Sequence, residues 1–291
     1  MTNASSIARA LRGQKSGQDW IAHCPAHDDK HPSLSIGDNN GKVLVYCHAG
    51  CSQSIVIEAL RRQGLWGNQR QRFQDQGKTQ PTLTAEEKKV FALKIWDESV
   101  SAAGTLVETY LASRGLTIPI PPSLRFHPEL KHLPSGKTYP CMIASIKHGV
   151  TGAPIAIQRT YLARDGKGKA PVVSNKMMLG LSRGGAIRLG EPDDFLMVGE
   201  GIETCLSALA ATCLPAWAGM SASGMAALEL PSRIKGVIVL ADGDERGESV
   251  ANQCARRWTR QGKKVRIARP PKGKDFNDLL IDNLSANQRS R

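Results

Sequence analysis

The hydrophobic pattern is clearest in the last third of the chain, where short apolar runs alternate with helical stripes. The runs cover 195–198, 216–220, 236–240 and 264–268. Each is short and bounded by turn residues, as a buried strand requires. Between them the spacing predicts a helix over 203–212 and a short one around 225–230. In a third helix Val250, Cys254 and Trp258 share a stripe at i, i+4 and i+8. This alternation predicts a small parallel sheet with helices on both faces.

Residues 85–192 open on a helical pattern of Val90, Leu93, Ile95, Trp96 and Val100. A turn at Pro119, Pro121 and Pro122 follows, then β-like runs over 142–146 and 155–161 with Gly-rich turns between them. Residues 67–84 are polar, Gln-rich and aperiodic, which predicts a flexible linker. Within 1–66, Leu34-Ser35-Ile36 and 43–46 read as strands joined by Asp38-Asn39-Asn40-Gly41, a hairpin signal. The expected class is α/β and α+β multidomain: a small β domain (1–66), a linker (67–84), a mixed α+β subdomain (85–192) and an α/β domain (193–291). No internal repeat is visible.

Composition narrows the function. With 41% hydrophobic residues the chain can bury a core, which excludes a disordered chain. Lys plus Arg exceed Asp plus Glu by 39 to 26, a net charge of +13 spread along the chain. Such an excess points to a polyanion, nucleic acid first. No stretch reaches the roughly 18 apolar residues of a membrane span, and residues 1–12 lack a signal-peptide core. Seven cysteines without an export signal argue against a disulfide framework and for a reducing cytoplasm.

Three of those cysteines carry chemistry. Cys24-Pro25-Ala26-His27 and Cys47-His48-Ala49-Gly50-Cys51 flank the predicted hairpin. A hairpin that folds back on itself would bring Cys24, His27, Cys47 and Cys51 to one metal. Three thiolates and an imidazole are a structural zinc set with no position open for catalysis. His23, His31 and His48 are spare ligands, and Cys141, Cys205, Cys213 and Cys254 read as packing residues.

A second constellation is acidic. Glu200 follows the first strand of the last segment, and Asp242-Gly243-Asp244 follows the third. Sites in open α/β sheets form at the carboxyl ends of strands. Clustered carboxylates repel unless a cation neutralises them, and oxygen ligands suit Mg²⁺ or Mn²⁺. Gly199, Gly201 and Gly243 would let backbone approach a phosphate. Asp275 and Asp278, after the fourth strand, are further metal-ligand candidates. In the middle segment Arg159, the turn 166–170 with Lys167 and Lys169, and Lys176 supply cations. Cations on Gly turns suit triphosphate or strand-backbone contacts.

These motifs have a familiar arrangement. Cys-Pro-x-His, His-Pro-Ser-Leu and Tyr-Cys-x-x-Gly-Cys resemble the zinc-binding domain of bacterial and phage DNA primases. The second cysteine pair has three intervening residues where the replicative primase has two. That form looks like primases of phages, plasmids and mobile elements. Gly-Glu-Gly-x-Glu-Thr, Leu-Ala-Asp-Gly-Asp-x-x-Gly and Lys-Asp-x-Asn-Asp resemble the Toprim domain of primases and topoisomerases, over about 193–285. The resemblance implies a zinc-ribbon-like N-terminal domain and a Rossmann-like Toprim domain. It implies divalent-metal binding by Glu200, Asp242 and Asp244, and nucleotide or template contacts by Arg159, Lys169 and Lys176. The implied activity is primer synthesis from nucleoside triphosphates on single-stranded DNA. With no P-loop pattern present, unwinding would fall to a separate replicative helicase. Two other classes remain open, a Toprim nuclease and a non-catalytic single-strand-binding module. Stacking of bases on Trp20, Tyr46 or Trp66 is a further option, with core packing the plainer one.

Overall fold

The computed structural model describes residues 3–16, 19–29, 32–39, 42–66, 83–271 and 273–289. Most of the expected linker (67–82), Asn40 and Gly41 of the hairpin turn, and His31 lie outside them. Contacts divide the chain into two units, Met1–Thr79 and Gln80–Arg291.

The first unit runs α1 (Ala4–Ala10), β1 (Gln14–Ser16), β2 (Asp19–Ala22), β3 (Leu34–Asn39), β4 (Lys42–Cys47) and α2 (Gln53–Arg62). The strands form an antiparallel sheet in the order β1-β2-β3-β4. The expected hairpin is β3–β4, closed with Asn39 opposite Lys42. Ile7, Leu34, Ile36, Val45, Val56 and Leu60 are buried between the helices and one sheet face. Trp20 and Trp66 pack partly against this core, whereas Tyr46 is 66% exposed on the other face.

The second unit continues α3 (Ala85–Glu98), β5 (Val100–Ser101), α4 (Leu106–Ser113), β6 (Leu124–Lys131), β7 (Thr138–His148), β8 (Pro154–Tyr161), β9 (Lys176–Gly180) and β10 (Gly185–Arg188). Then come β11 (Phe195–Gly199), α5 (Ile202–Thr212), β12 (Ala216–Ala218), α6 (Ala222–Ala227), β13 (Gly236–Leu240), α7 (Glu245–Arg260), β14 (Lys264–Ala268) and α8 (Phe276–Arg289). All ten strands belong to one sheet. β14, β13, β11 and β12 are parallel neighbours, as the alternation predicts. The sheet then continues antiparallel through β10 into β7. β6 and β10 share one edge of β7, and β8 takes the other, carrying β9. The 192/193 border therefore falls inside a continuous sheet.

Side chains of the parallel strands alternate between two cores. Met197 and Leu240 pack with α4, α5 and α8 on one face. Leu196, Val198, Val237 and Val239 pack with α6 and α7 on the other. Some predicted stripes shift. α3 buries Ala92 against β8 and β9, so Val90 is left 59% exposed. In α7 the fully buried stripe is Ala251, Cys254 and Trp258, with Val250 at its margin. Cys213 is exposed at the left-handed C-cap of α5, so the packing role expected of it does not hold.

Candidate functional site

In the first unit the sheet order assembles a ligand cluster. β2 and β4 flank β3, so Leu34 pairs with both Ala22 and Cys47. Cys24, two residues beyond β2, thus lies at the same sheet end as Cys47. Cys51 precedes Ser52, the N-cap of α2. The ligand atoms of Cys24, His27, Cys47 and Cys51 all lie within 4.8 Å of one another. His27 turns Nδ1 to the sulfurs, 3.3 Å from Cys51 Sγ, and Nε2 to Asp29 Oδ1 at 3.3 Å. The other oxygen of Asp29 accepts from Cys24 N–H at 2.6 Å and from the Ser33 hydroxyl at 2.8 Å.

Asp29 thus orients two ligands at once, the outer-shell arrangement that fixes a metal-binding imidazole. Sequence reading missed it because a carboxylate outside the Cys/His pattern carries no signature. Burial pushes the Cys24 thiol up to about 12, with neighbouring sulfurs adding to the shift. Burial acts the same way on Cys47, but the N–H of Cys51 and the Ser33 hydroxyl outweigh it and bring that thiol to about 7. Three sulfurs and one nitrogen in this span fit tetrahedral zinc, which would ionise the thiols outright. The two spare histidines among the described residues are used elsewhere. His23 Nδ1 meets the Asp29 carbonyl at 2.8 Å, and His48 Nε2 meets Ser35 Oγ at 2.7 Å.

In the second unit, Glu200 directly follows β11, and Asp242 lies two residues beyond β13, its parallel neighbour. The Glu200 carbonyl accepts the N–H of Met220, whose φ of 68° is strained for a non-glycine residue. Burial pushes the Glu200 carboxyl up and Asp242 adds to it, while Arg246 and Lys176 pull it down. Burial likewise raises Asp242, with Asp244 and Asp275 adding and Lys176 opposing. Asp244 Oδ1 caps α7 by accepting Gly247 N–H at 2.6 Å. Asp275 and Asp278 form a reciprocal capping box at the start of α8, each accepting the other's N–H at 2.7 and 3.0 Å. Asp275 is the member of that pair that acts on Asp242.

The cations separate sharply. Lys176 pairs with Thr160 across β8–β9 and acts on both raised carboxyls. Arg159 alternates to the opposite face and is 6% exposed, its Nη2 donating to the Met178 carbonyl at 3.2 Å. Lys169 Nζ is 2.9 Å from Glu203 Oε1 in the first turn of α5, which also accepts the Tyr110 hydroxyl at 2.6 Å. The charge of Lys176 thus acts on Glu200 and Asp242, Arg159 is turned away, and Lys169 is engaged with the Glu203 carboxylate. Gly199 and Gly243 serve packing: a Cβ on Gly199 would lie 2.9 Å from Cys205 Sγ, and one on Gly243 2.5 Å from the Lys274 carbonyl.

Sequence reading also missed two positioning residues. Arg246, in the first turn of α7, is a cation acting on Glu200. Asn277 is buried, and its Nδ2 donates to the Arg114 carbonyl at 2.7 Å and lies 3.2 Å from Ser207 Oγ. It ties the start of α8 to α5 and so sets Asp275 beside Asp242. Its signal was the Lys-Asp-x-Asn-Asp motif, in which only the acids drew attention.

Glu203 makes a stability prediction. Burial raises its carboxyl, but Lys169 and the Tyr110 hydroxyl outweigh this and hold it at about 2. A depressed carboxyl contributes stability that is present above the unfolded value, ordinarily 4.5, and lost as pH falls towards 2. Replacing Lys169 by methionine leaves that largely buried carboxylate with the Tyr110 hydroxyl but no opposite charge. The expected cost is about 3 kcal/mol at pH 7, shrinking as pH falls through the carboxylate range. Urea unfolding at pH 7 and pH 4 checks it.

The Toprim domain family matches residues 195–286, and a domain of unknown function, DUF7146, matches 86–189. No curated protein matches the chain. Among solved structures, the Aquifex aeolicus primase (zinc-binding and RNA polymerase domains) is 15% identical with a TM-score of 0.43, over 100% of this chain and 82% of that one. The primase fragment of the bacteriophage T7 primase-helicase protein is 14% identical with a TM-score of 0.41, over 93% and 98%. A DNA primase domain from Pseudomonas aeruginosa is 17% identical with a TM-score of 0.43, over 68% and 77%. The C-terminal segment is a Toprim domain. The Toprim expectation for the last segment is thus borne out, and the four Cys/His ligands expected in the first unit come together there. No helix among the described residues is long and apolar enough to cross a membrane.

Proposed function

We propose that this chain is a DNA primase that joins nucleoside triphosphates into short primers on single-stranded DNA. The observation that carries this reading is the placement of Glu200 and Asp242 at the ends of adjacent parallel strands, with the charge of Lys176 acting on both. Raised carboxyls flanked by cations are what a divalent-metal phosphoryl-transfer site requires.

In the reaction a 3′-hydroxyl attacks the α-phosphorus of a triphosphate, loses its proton and releases pyrophosphate. Mg²⁺ or Mn²⁺, held by Glu200, Asp242 and the free oxygen of Asp244, would neutralise charge on the reacting phosphates. Asp275 is a further candidate ligand beside Asp242. Asp278 is the weaker one, since of the two only Asp275 acts on Asp242. Lys176 and Arg246 stand where cations stabilise the leaving pyrophosphate. Arg159 and Lys169 would act on nucleotide or template by shaping the β8–β9 region and the start of α5. Zinc on Cys24, His27, Cys47 and Cys51 would hold the first unit folded for template binding.

The test is synthesis on single-stranded DNA with labelled triphosphates and Mg²⁺ or Mn²⁺. New short oligonucleotides that require both template and triphosphates are the expected result. Metal-dependent shortening of the template without synthesis would replace this reading with a nuclease.

A further inference from the structure

The C-terminal half of α7 carries charge that the acidic site does not use. From Ser249 to Lys264 the chain holds five cations and no carboxylate. Two of them are committed to the fold. Lys263 is buried and donates to the Pro231 and Ile234 carbonyls at 3.1 and 2.7 Å. The Arg257 guanidinium donates to the Ala226 and Leu228 carbonyls, satisfying the end of α6. Arg256 and Arg260 are exposed and have no hydrogen bond or ion pair among the described residues.

A cleft of about 500 Å³ opens here, lined by Ser249, Gln253, Arg256, Arg257 and Arg260 over a floor that includes Ala226. The lining is polar and cationic, with no acid and no large apolar side chain apart from the arginine stems. Ser249, Gln253, Arg256 and Arg260 form one stripe of α7 at helical spacing. Two free guanidiniums one turn apart can each take a phosphate oxygen pair. Four residues apart, they project from α7 about 6 Å from one another along its axis, within reach of neighbouring phosphates of one strand.

We infer that the α6–α7 cleft is a second contact for the backbone of single-stranded nucleic acid. It rests on the reading of this chain as a protein of single-stranded DNA. Asp244 caps α7, so Arg256 and Arg260 lie about 18 and 24 Å along the helix from the acidic site. A strand held in the cleft is therefore anchored several nucleotides away from the chemistry. Such a contact raises retention of the strand and carries no sequence preference.

The test is binding of a labelled oligo-thymidine single strand to the full-length, zinc-loaded protein across a salt series. The Arg256→Gln/Arg260→Gln variant keeps Arg257 and places good helix formers on an exposed face. Each lost phosphate contact lowers the slope of log affinity against log salt by about 0.7. The expected drop is about 1.4, so a tenfold rise in salt costs the variant about 25-fold less affinity than the wild type. The control Lys88→Gln/Lys94→Gln removes the same charge from the exposed face of α3 and is expected to keep the wild-type slope.

A wild type that binds with the same slope and affinity as the Arg variant overturns the inference alone. An equal drop in both variants also overturns it, since net charge would then explain the effect. A wild type that binds no single strand overturns it together with the proposed function. Loss of polyglutamate binding in the Arg variant, with the DNA slope unchanged, would assign the cleft to an acidic protein and overturn it as well.

Discussion

Replacing Asp242 by asparagine is expected to abolish primer synthesis and, in the absence of divalent metal, to raise the melting temperature. Both effects have one cause. Burial and the carboxylates of Asp244 and Asp275 push the Asp242 carboxyl up. A carboxyl raised above its unfolded value binds protons more tightly in the folded state. The folded protein is therefore penalised as pH rises from the ordinary carboxylate range through the raised value, and the penalty persists at pH 7. Asparagine removes the charge and the penalty with it.

The same charge is what a divalent cation needs. Loss of a first ligand should weaken Mg²⁺ binding by more than about 100-fold, beyond the 10–100-fold typical of an outer partner. Thermal unfolding of wild type and variant, with and without Mg²⁺, separates the two effects. Mg²⁺ should raise the wild-type melting temperature and leave that of the variant unchanged. A variant that is no more stable without metal, yet still responds to Mg²⁺, would remove Asp242 from the metal site. An Asp278→Ala variant should instead lose stability, because Asp278 accepts the Asp275 N–H in the α8 capping box.

The second large effect concerns the first unit. Replacing Cys47 by serine, or stripping metal with a chelator, is expected to unfold residues 3–66 while the second unit stays folded. The core of the first unit is small, and two of its buried residues, Cys24 and Cys47, are themselves ligands. Structural zinc contributes about 10–16 kcal/mol in peptides of this size class, more than such a core supplies alone. Limited proteolysis would show cleavage spreading through the first unit after chelation, with a resistant fragment beginning near residue 80. Re-added Zn²⁺ should restore protection. A weaker, graded version is expected for Asp29→Asn, which keeps the thiols but loses the charged partner of His27. Its zinc affinity should fall by about 10–100-fold.

Much of the site was legible because its parts are local. Cys24 and His27 lie in one turn, as do Cys47 and Cys51, and the hairpin between them follows from two apolar runs and a turn. Glu200 and Asp242 are where strand runs end, and the strand–helix alternation places such ends on one edge of a parallel sheet. These depend on spacing along the chain, which composition and periodicity report directly.

What the sequence withheld depends on pairing between distant segments. Arg159 and Lys176 look equivalent in the sequence as cations of the middle segment. Only the β8–β9 register places Lys176 opposite Thr160 and on the acidic face, and leaves Arg159 opposite Met177 on the other. With a period of two, a single residue of register exchanges the faces. Glu203, Lys169 and Tyr110 come from three separate elements, so no local pattern announces their contact. β6 carries Pro128 and alternating charges, and β10 is four residues long, so neither stood out as a strand. The pairing of β10 with both β7 and β12 merges two apparent domains into one sheet. The sequence by itself determined which side chains are capable of holding metal and where along the chain they sit. The tertiary structure alone decided which cations face them and which are consumed by the fold, because sheet register and burial are set by long-range packing.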